Sequence, residues 1–98
     1  MYLTITATTT DDQIYEAIPY LDMCQEAIER RDDAAAVLEE QGNQTVLEYS
    51  QADGVDVLYS PVFGYAMTNE RTAGVGNSII VEDCTSPDHA ARVWRGEA

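Results

Sequence analysis

The spacing at which apolar residues recur changes along this chain of 98 residues. Residues 2–7 alternate between apolar and polar side chains, which predicts a half-buried strand. From Ile14 to Leu38 the apolar residues step by three or four except across Arg31, as they do on one face of a helix. Alternation returns after residue 44. The sequence therefore predicts a strand, then a long helical region, then further strands.

The helical region has a clear start and an interruption. Thr10 followed by Gln13 has the form of a capping box, which satisfies free backbone N–H groups at the first turn of a helix. Pro19 lies inside the pattern, where it removes a backbone hydrogen bond and biases the preceding residue away from helical geometry. We predict one long helix kinked at Pro19, with a division into helices over 11–18 and 20–41 as the alternative.

The second half of the chain predicts four more strands. They lie at 44–50, 55–60, 62–68 and 78–82, where apolar residues alternate or form short runs. Asp53-Gly54 is typical of the tight turn of a hairpin, so the first two of these strands should pair antiparallel.

A short C-terminal helix completes the prediction. It spans 87–95, with Ser86 as its cap and Pro87 at its first position. Together the elements predict one α+β domain over residues 1–98. Its mostly antiparallel sheet of four to five strands packs against the long Pro19-kinked helix, and the short helix is added at the end.

Carboxylates dominate the charge of the chain, which has 18 acidic residues, five arginines, no lysine and a net charge of −13. Five arginines cannot neutralise a phosphate backbone against so many carboxylates, which argues against direct binding of nucleic acid. The same repulsion argues against an anionic membrane surface. Since no apolar run is near the roughly 18 residues that span a bilayer and no signal peptide is recognisable, we expect a cytoplasmic or virion protein.

The charge has two explanations. A chain adapted to concentrated salt is rich in acids and poor in lysine, because at molar salt the Debye length is about 3 Å and like charges barely repel. A nucleic-acid-mimicking inhibitor from a virus or mobile element would instead concentrate carboxylates on one face and block a basic site on a host protein. The candidate residues for such a face are Glu26, Glu29, Asp33 and Glu40.

Aromatic and apolar residues of the predicted strands are candidates for contact with a protein partner. They are Tyr49, Tyr59, Phe63, Tyr65 and Met67. Tyrosine supplies amphipathic contact area of the kind that is enriched at interfaces. These side chains form an exposed patch if the long helix leaves one face of the sheet uncovered, and they complete a small core if it does not.

Signals for chemistry are weak. Cys84 and His89 are the one pair that resembles a nucleophile and its base, and a small cysteine-dependent enzyme is the corresponding hypothesis. Cys24 and Cys84 are predicted to be buried small hydrophobic residues. One histidine and two distant cysteines do not make a tetrahedral zinc set. We therefore predict no catalytic, cofactor-binding or metal-binding residue.

The sequence favours a non-catalytic, strongly acidic protein-interaction or structural module. The leading hypothesis is a salt-adapted accessory, virion or assembly subunit, whose partner is another protein or a second copy of the chain in a homo-oligomer. The nucleic-acid mimic is the alternative, and the small enzyme is the second alternative.

Overall fold

The protein is built on one antiparallel sheet whose strands lie side by side in chain order. A computed structural model describes residues 3–37, 44–52, 54–70 and 76–97. Within these ranges the chain forms five strands and three helices, so the predicted α+β class and antiparallel sheet are confirmed. The elements are β1 (Leu3–Ile5), α1 (Asp11–Ala17), α2 (Leu21–Val37), β2 (Leu47–Ala52), β3 (Val55–Ser60), β4 (Tyr65–Glu70), β5 (Ile79–Glu82) and α3 (Pro87–Trp94).

The β2–β3 hairpin forms where the turn signal predicts it. Gln51 pairs with Asp56 near the end of the hairpin. Gly54 has a φ of +82°, a left-handed conformation that glycine adopts at little steric cost. Asp53, the other residue of the predicted turn, lies outside the described residues.

β4 begins three residues later than predicted, because residues 61–64 form a turn. The Phe63 N–H donates a hydrogen bond to Ser60 Oγ (3.0 Å). The Gly64 N–H donates to the Ser60 carbonyl oxygen (2.9 Å). The strand predicted over 62–68 is therefore observed over Tyr65–Glu70.

The helical region is divided at Pro19, and the single long kinked helix is not confirmed. Ile18 is extended (φ −106°, ψ 120°), as expected for the residue before a proline. Beyond the proline, the Tyr20 carbonyl oxygen accepts a hydrogen bond from the Cys24 N–H (2.9 Å), which begins the next helix. The chain thus has two shorter helices, α1 and α2, in place of one long helix.

α1 and α2 pack on one face of the sheet and enclose the larger core. Its buried members come from both helices, from the loop before β2 and from strands β1 to β3. They are Ile5, Ile14, Ile18, Tyr20, Met23, Cys24, Ala27, Ala34, Val46, Leu47, Tyr49 and Leu58. Burying one large aliphatic side chain of this kind stabilises the fold by roughly 1.5–3 kcal/mol.

α3 covers the opposite face of the sheet. The sequence did not decide whether this face is covered. The buried members of this smaller core are Val55, Val57, Ala66, Val81, Cys84, Ala90 and Ala91. Tyr59 and Trp94 are partly buried against it. Because helices lie on both sides of the sheet, successive residues of β3 are buried whichever way they point.

Candidate functional site

β1 and β5 are the two edges of the sheet, and they differ in exposure. Ile5 of β1 is buried, and Leu3 is partly buried against the larger core. In β5, Ile79 is 53% exposed and Ile80 is 45% exposed. Among the large apolar side chains that the described residues expose, these two alone are adjacent in the chain. β5 therefore presents apolar surface at an edge, which natural sheets usually avoid.

The backbone of β5 also has hydrogen-bonding groups that point outward. The Asp83 N–H donates to the Gly64 carbonyl oxygen (3.1 Å), one step beyond the last paired residues of β4 and β5. Alternation in an antiparallel ladder then directs the N–H and C=O groups of Ile80 and Glu82 away from β4. No strand of the described residues lies on that outer side.

A groove of about 320 Å³ lies at the C-terminal end of β5. It is lined by Arg30, Phe63, Gly64, Tyr65, Glu82 and Asp83. Phe63 is 37% exposed, and the groove joins it to the acidic end of the edge strand. Glu82 belongs both to the edge strand and to the groove. We call Phe63, Ile79, Ile80, Glu82 and Asp83 the β5 surface.

Arg30 supports the wall of the groove. Its guanidinium carbon lies 5.5 Å from the centroid of the Phe63 ring and 5.4 Å from that of Tyr65, where cation–π attraction operates. Arg30 Nε donates to Glu26 Oε1 (3.2 Å), and the same oxygen accepts from Tyr65 Oη (3.1 Å). Burial raises the pKa of Tyr65, and the charge of Glu26 raises it further. The hydroxyl therefore remains a donor at neutral pH.

The five aromatic and apolar candidates are separated by the sheet. Tyr49 has no exposed surface and lies in the larger core, and Tyr65 is 8% exposed. Met67 is partly buried against the larger core, whereas Tyr59 packs against the smaller one. Phe63 is the exposed member of the set. The five do not form one patch, because helices cover both faces of the sheet.

Sequence analysis did not identify Ile79 and Ile80, although a signal for them exists. When strands follow one another in chain order, the last strand lies at an edge. Successive side chains of a strand point to opposite faces, so the run Ile79–Val81 places apolar residues on both sides of that edge. Only Val81 of the three is buried.

Two of the acidic candidates on α2 are engaged by Arg30. Glu26 accepts its hydrogen bond, and Asp33 Oδ2 lies 3.6 Å from Arg30 Nη1. Glu29 is exposed, and Glu40 lies outside the described residues. The predicted acidic face is thus partly neutralised where the structure describes it.

Arg31 engages two further carboxylates. Its Nη1 lies 2.6 Å from Asp11 Oδ1, and its Nη2 lies 3.0 Å from Asp32 Oδ1. Nη1 also donates to the Thr9 carbonyl oxygen (2.8 Å). Arg31 therefore ties the start of α1 to α2. Acidic residues exposed elsewhere are Asp12, Glu16, Glu70, Glu82, Asp83, Asp88 and Glu97.

Cys84 and His89 each contact the backbone of a nearby residue. Cys84 Sγ lies 3.9 Å from the Val81 carbonyl oxygen, and His89 Nδ1 accepts a hydrogen bond from the Thr85 N–H (3.1 Å). Burial raises the pKa of the Cys84 thiol, which disfavours the reactive thiolate. Cys24 and Cys84 are free and buried, as predicted, and belong to cores on opposite faces of the sheet.

The described residues contain no cluster of three or more side chains suited to hold a metal ion. Nor does any helix among them combine the length and apolar character that crossing a bilayer requires. Comparison with family models, with curated proteins and with solved structures found no match. Function is therefore inferred from the β5 surface itself.

Proposed function

We propose that the protein is a non-catalytic, strongly acidic interaction module that binds another protein through the β5 surface. The proposal is carried by one observation: Ile79 and Ile80 are 53% and 45% exposed on an edge strand. An open edge with apolar side chains promotes unwanted pairing between chains unless something restrains it. A partner that covers the edge removes this liability and uses the exposed apolar area for affinity.

The remaining acidic residues are proposed to act as a solvating coat suited to concentrated salt. Exposed carboxylates occur on α1, α2 and α3, which lie on both sides of the sheet. A net charge of −13 also keeps copies of the chain apart at low salt, where the Debye length is about 10 Å at 0.1 M. The charge thus restrains self-association while the edge stays open to other proteins.

The surroundings of α2 support this proposal over a mimic of nucleic acid. A mimic needs a continuous row of carboxylates that imitates phosphates. Arg30 lies between Glu26 and Asp33, and Arg31 lies between Asp11 and Asp32. Four carboxylates of that side are therefore offset by neighbouring guanidinium groups.

Panning a displayed library of random peptides against the whole protein tests the proposal. Each selected peptide is titrated against the wild type, the variant with Ile79→Ser and Ile80→Ser, and the control Tyr15→Ser. Tyr15 is a matched control because it is 48% exposed, close to the 45% of Ile80, and lies on α1. We expect the selected peptides to lose affinity for the β5 variant and to keep it for the control.

Two results contradict the proposal. One is a library that yields no ligand, and the other is a set of ligands that bind the β5 variant as well as the wild type. Thermal melting followed by circular dichroism shows whether the serine variants are folded. A second variant, Ile80→Thr, retains strand propensity and repeats the test if the double variant melts early.

A further inference from the structure

We infer that the partner binds by adding a strand to β5: an extended segment places apolar residues beside Ile79 and Ile80 and arginine or lysine beside Glu82 and Asp83. The inference rests on the proposed function and deepens it. It names the conformation of the bound segment and the chemistry of its side chains.

The backbone supplies the first step. Ile80 and Glu82 direct their N–H and C=O groups away from β4, as the Asp83–Gly64 hydrogen bond requires. An extended segment that lies along this edge forms ladder hydrogen bonds with those groups. A helix laid on the edge would use the apolar side chains but leave the same groups without ladder partners.

The side chains set an order along the added strand. Residues 79–81 of β5 are apolar, and the next two residues, Glu82 and Asp83, are acidic and exposed. Side chains of neighbouring strands lie side by side on each face, so the complementary segment has apolar residues at one end and basic residues at the other. Because the two ends of the segment differ, an experiment can show whether it runs parallel or antiparallel to β5.

The groove also favours basic residues at one end of the bound segment. A long cationic side chain beside Glu82 or Asp83 reaches a space that Phe63 also lines. Arg30, which also lines the groove, is offset by Glu26 and Asp33, which lie 3.2 Å and 3.6 Å from its nitrogen atoms. The carboxylates at the end of β5 are therefore the charges that a partner meets there.

Charge favours a basic segment of another protein over a second copy of the chain. Pairing two β5 edges would bring together two molecules that each carry a charge of −13. A segment with arginine or lysine instead meets opposite charge at Glu82 and Asp83, which speeds encounter and selects against acidic partners.

Two blocked synthetic peptides, Arg-Arg-Val-Val-Val and Val-Val-Val-Arg-Arg, probe the surface in the two possible directions. Amide hydrogen exchange of the isotope-labelled full chain is measured by NMR with and without each peptide. At a peptide concentration ten times its Kd, we expect exchange at Ile80 and Glu82 to slow by about tenfold. Val81 should change less, because the alternation directs its backbone towards β4.

Matched probes separate the parts of the inference. Glu-Glu-Val-Val-Val removes the charge complementarity, and N-methylation of alternate valines removes strand hydrogen bonds without removing apolar groups. Each change should weaken binding by about tenfold or more, the factor that corresponds to 1.4 kcal/mol. Ile80→Ser should weaken binding of the parent peptide, and the control Tyr15→Ser should not.

Three outcomes overturn the inference, and the first two leave the proposed function standing. In the first, a peptide shifts the resonances of β5 while exchange at Ile80 and Glu82 is unchanged. In the second, ligands from the displayed library require Ile79 and Ile80 but neither synthetic peptide binds. In the third, sedimentation shows self-association that the Ile79→Ser and Ile80→Ser variant abolishes, which makes a second copy the occupant. Library ligands that bind that variant as well as the wild type overturn both the inference and the proposed function.

Discussion

Ile5 of β1 is fully buried, whereas Ile80 of β5 is 45% exposed, although both strands are edges of the same sheet. The chain leaves β1 through a short loop into α1, which packs back on that strand. After β5 the chain enters α3, which packs chiefly on β3 and β4. Both helices thus contact the strand that precedes them, but Ile5 is enclosed in the larger core, whereas Ile79 and Ile80 stay exposed.

In the proposed function, the two edges have separate tasks. The apolar residues of β1 contribute to the larger core and so to stability. Ile79 and Ile80 of β5 are left in solvent by the fold, whereas Val81 of the same strand is buried in the smaller core. Variants of the apolar residues on the two edges therefore test this comparison.

Truncation at the two edges should give the largest contrast. Ile5→Ala should lower the free energy of unfolding by about 2–5 kcal/mol, because it leaves a cavity in the larger core. Ile80→Ala should lower it by no more than about 1 kcal/mol, since half of the side chain is already in water. Urea unfolding of both variants measures the contrast. Equal losses would mean that β5 is as closed as β1.

The sequence predicted the local structure better than the tertiary arrangement. The Thr10–Gln13 capping box and the Ser86 cap with Pro87 in the first turn are present as predicted. Such signals depend on a few neighbouring residues, so spacing alone reveals them. The division at Pro19 was among the alternatives, but spacing could not decide between a kink and a break.

The candidate site was harder to predict because it depends on which faces are covered. The tyrosines of the strands suit an exposed sheet face as well as a core. Tyr59 is partly buried because α3 covers the second face, whereas Ile79 and Ile80 stay exposed at the edge. The apolar residues of the short helix showed that it would pack, but not which face of the sheet Ala90 and Ala91 would cover.

The contacts of Arg31 near β1 should contribute less to stability than the burial of Ile5. Arg31→Met keeps much of the apolar stem but removes the contacts with Asp11, Asp32 and the Thr9 carbonyl. We expect the free energy of unfolding to fall by about 1–2 kcal/mol. Partly buried charged hydrogen bonds contribute more to stability than an exposed ion pair does. Arg92→Met is the control, because Arg92 is exposed on α3. Indistinguishable midpoints of urea unfolding for the two variants would show that the Arg31 contacts do not stabilise the fold.

Salt should act in opposite directions on folding and on binding at the β5 edge. Between 0.1 M and 1 M sodium chloride the Debye length falls from about 10 Å to about 3 Å, so repulsion within the acidic coat weakens and Tm should rise. Binding of Arg-Arg-Val-Val-Val should weaken over the same range. Glu16→Gln with Glu29→Gln, at two exposed positions, should reduce the rise in Tm. A Tm that does not change with salt contradicts adaptation to salt.

Alkaline pH should reveal the smallest effect, at the groove beside β5. Because burial raises the pKa of Tyr65 above its ordinary value of 10.0, the folded state holds this proton more tightly than the unfolded state. That stabilisation is complete below about pH 10 and is lost as the pH rises towards the folded value. Unfolding free energy should therefore fall less steeply above about pH 10 in Tyr65→Phe than in wild type. Tyr15→Phe is the control, and identical slopes for all three proteins would contradict the burial of this hydroxyl.

The most direct test maps where a selected protein ligand touches the chain. Amide resonances of the labelled protein are recorded while the tightest ligand from the displayed library is added. The account predicts that the shifts centre on residues 79–83 and extend to Phe63, while Leu3–Ile5 are unaffected. Shifts centred on β1, or on the outer faces of α1 and α2, would contradict the claim that the open edge is the binding edge.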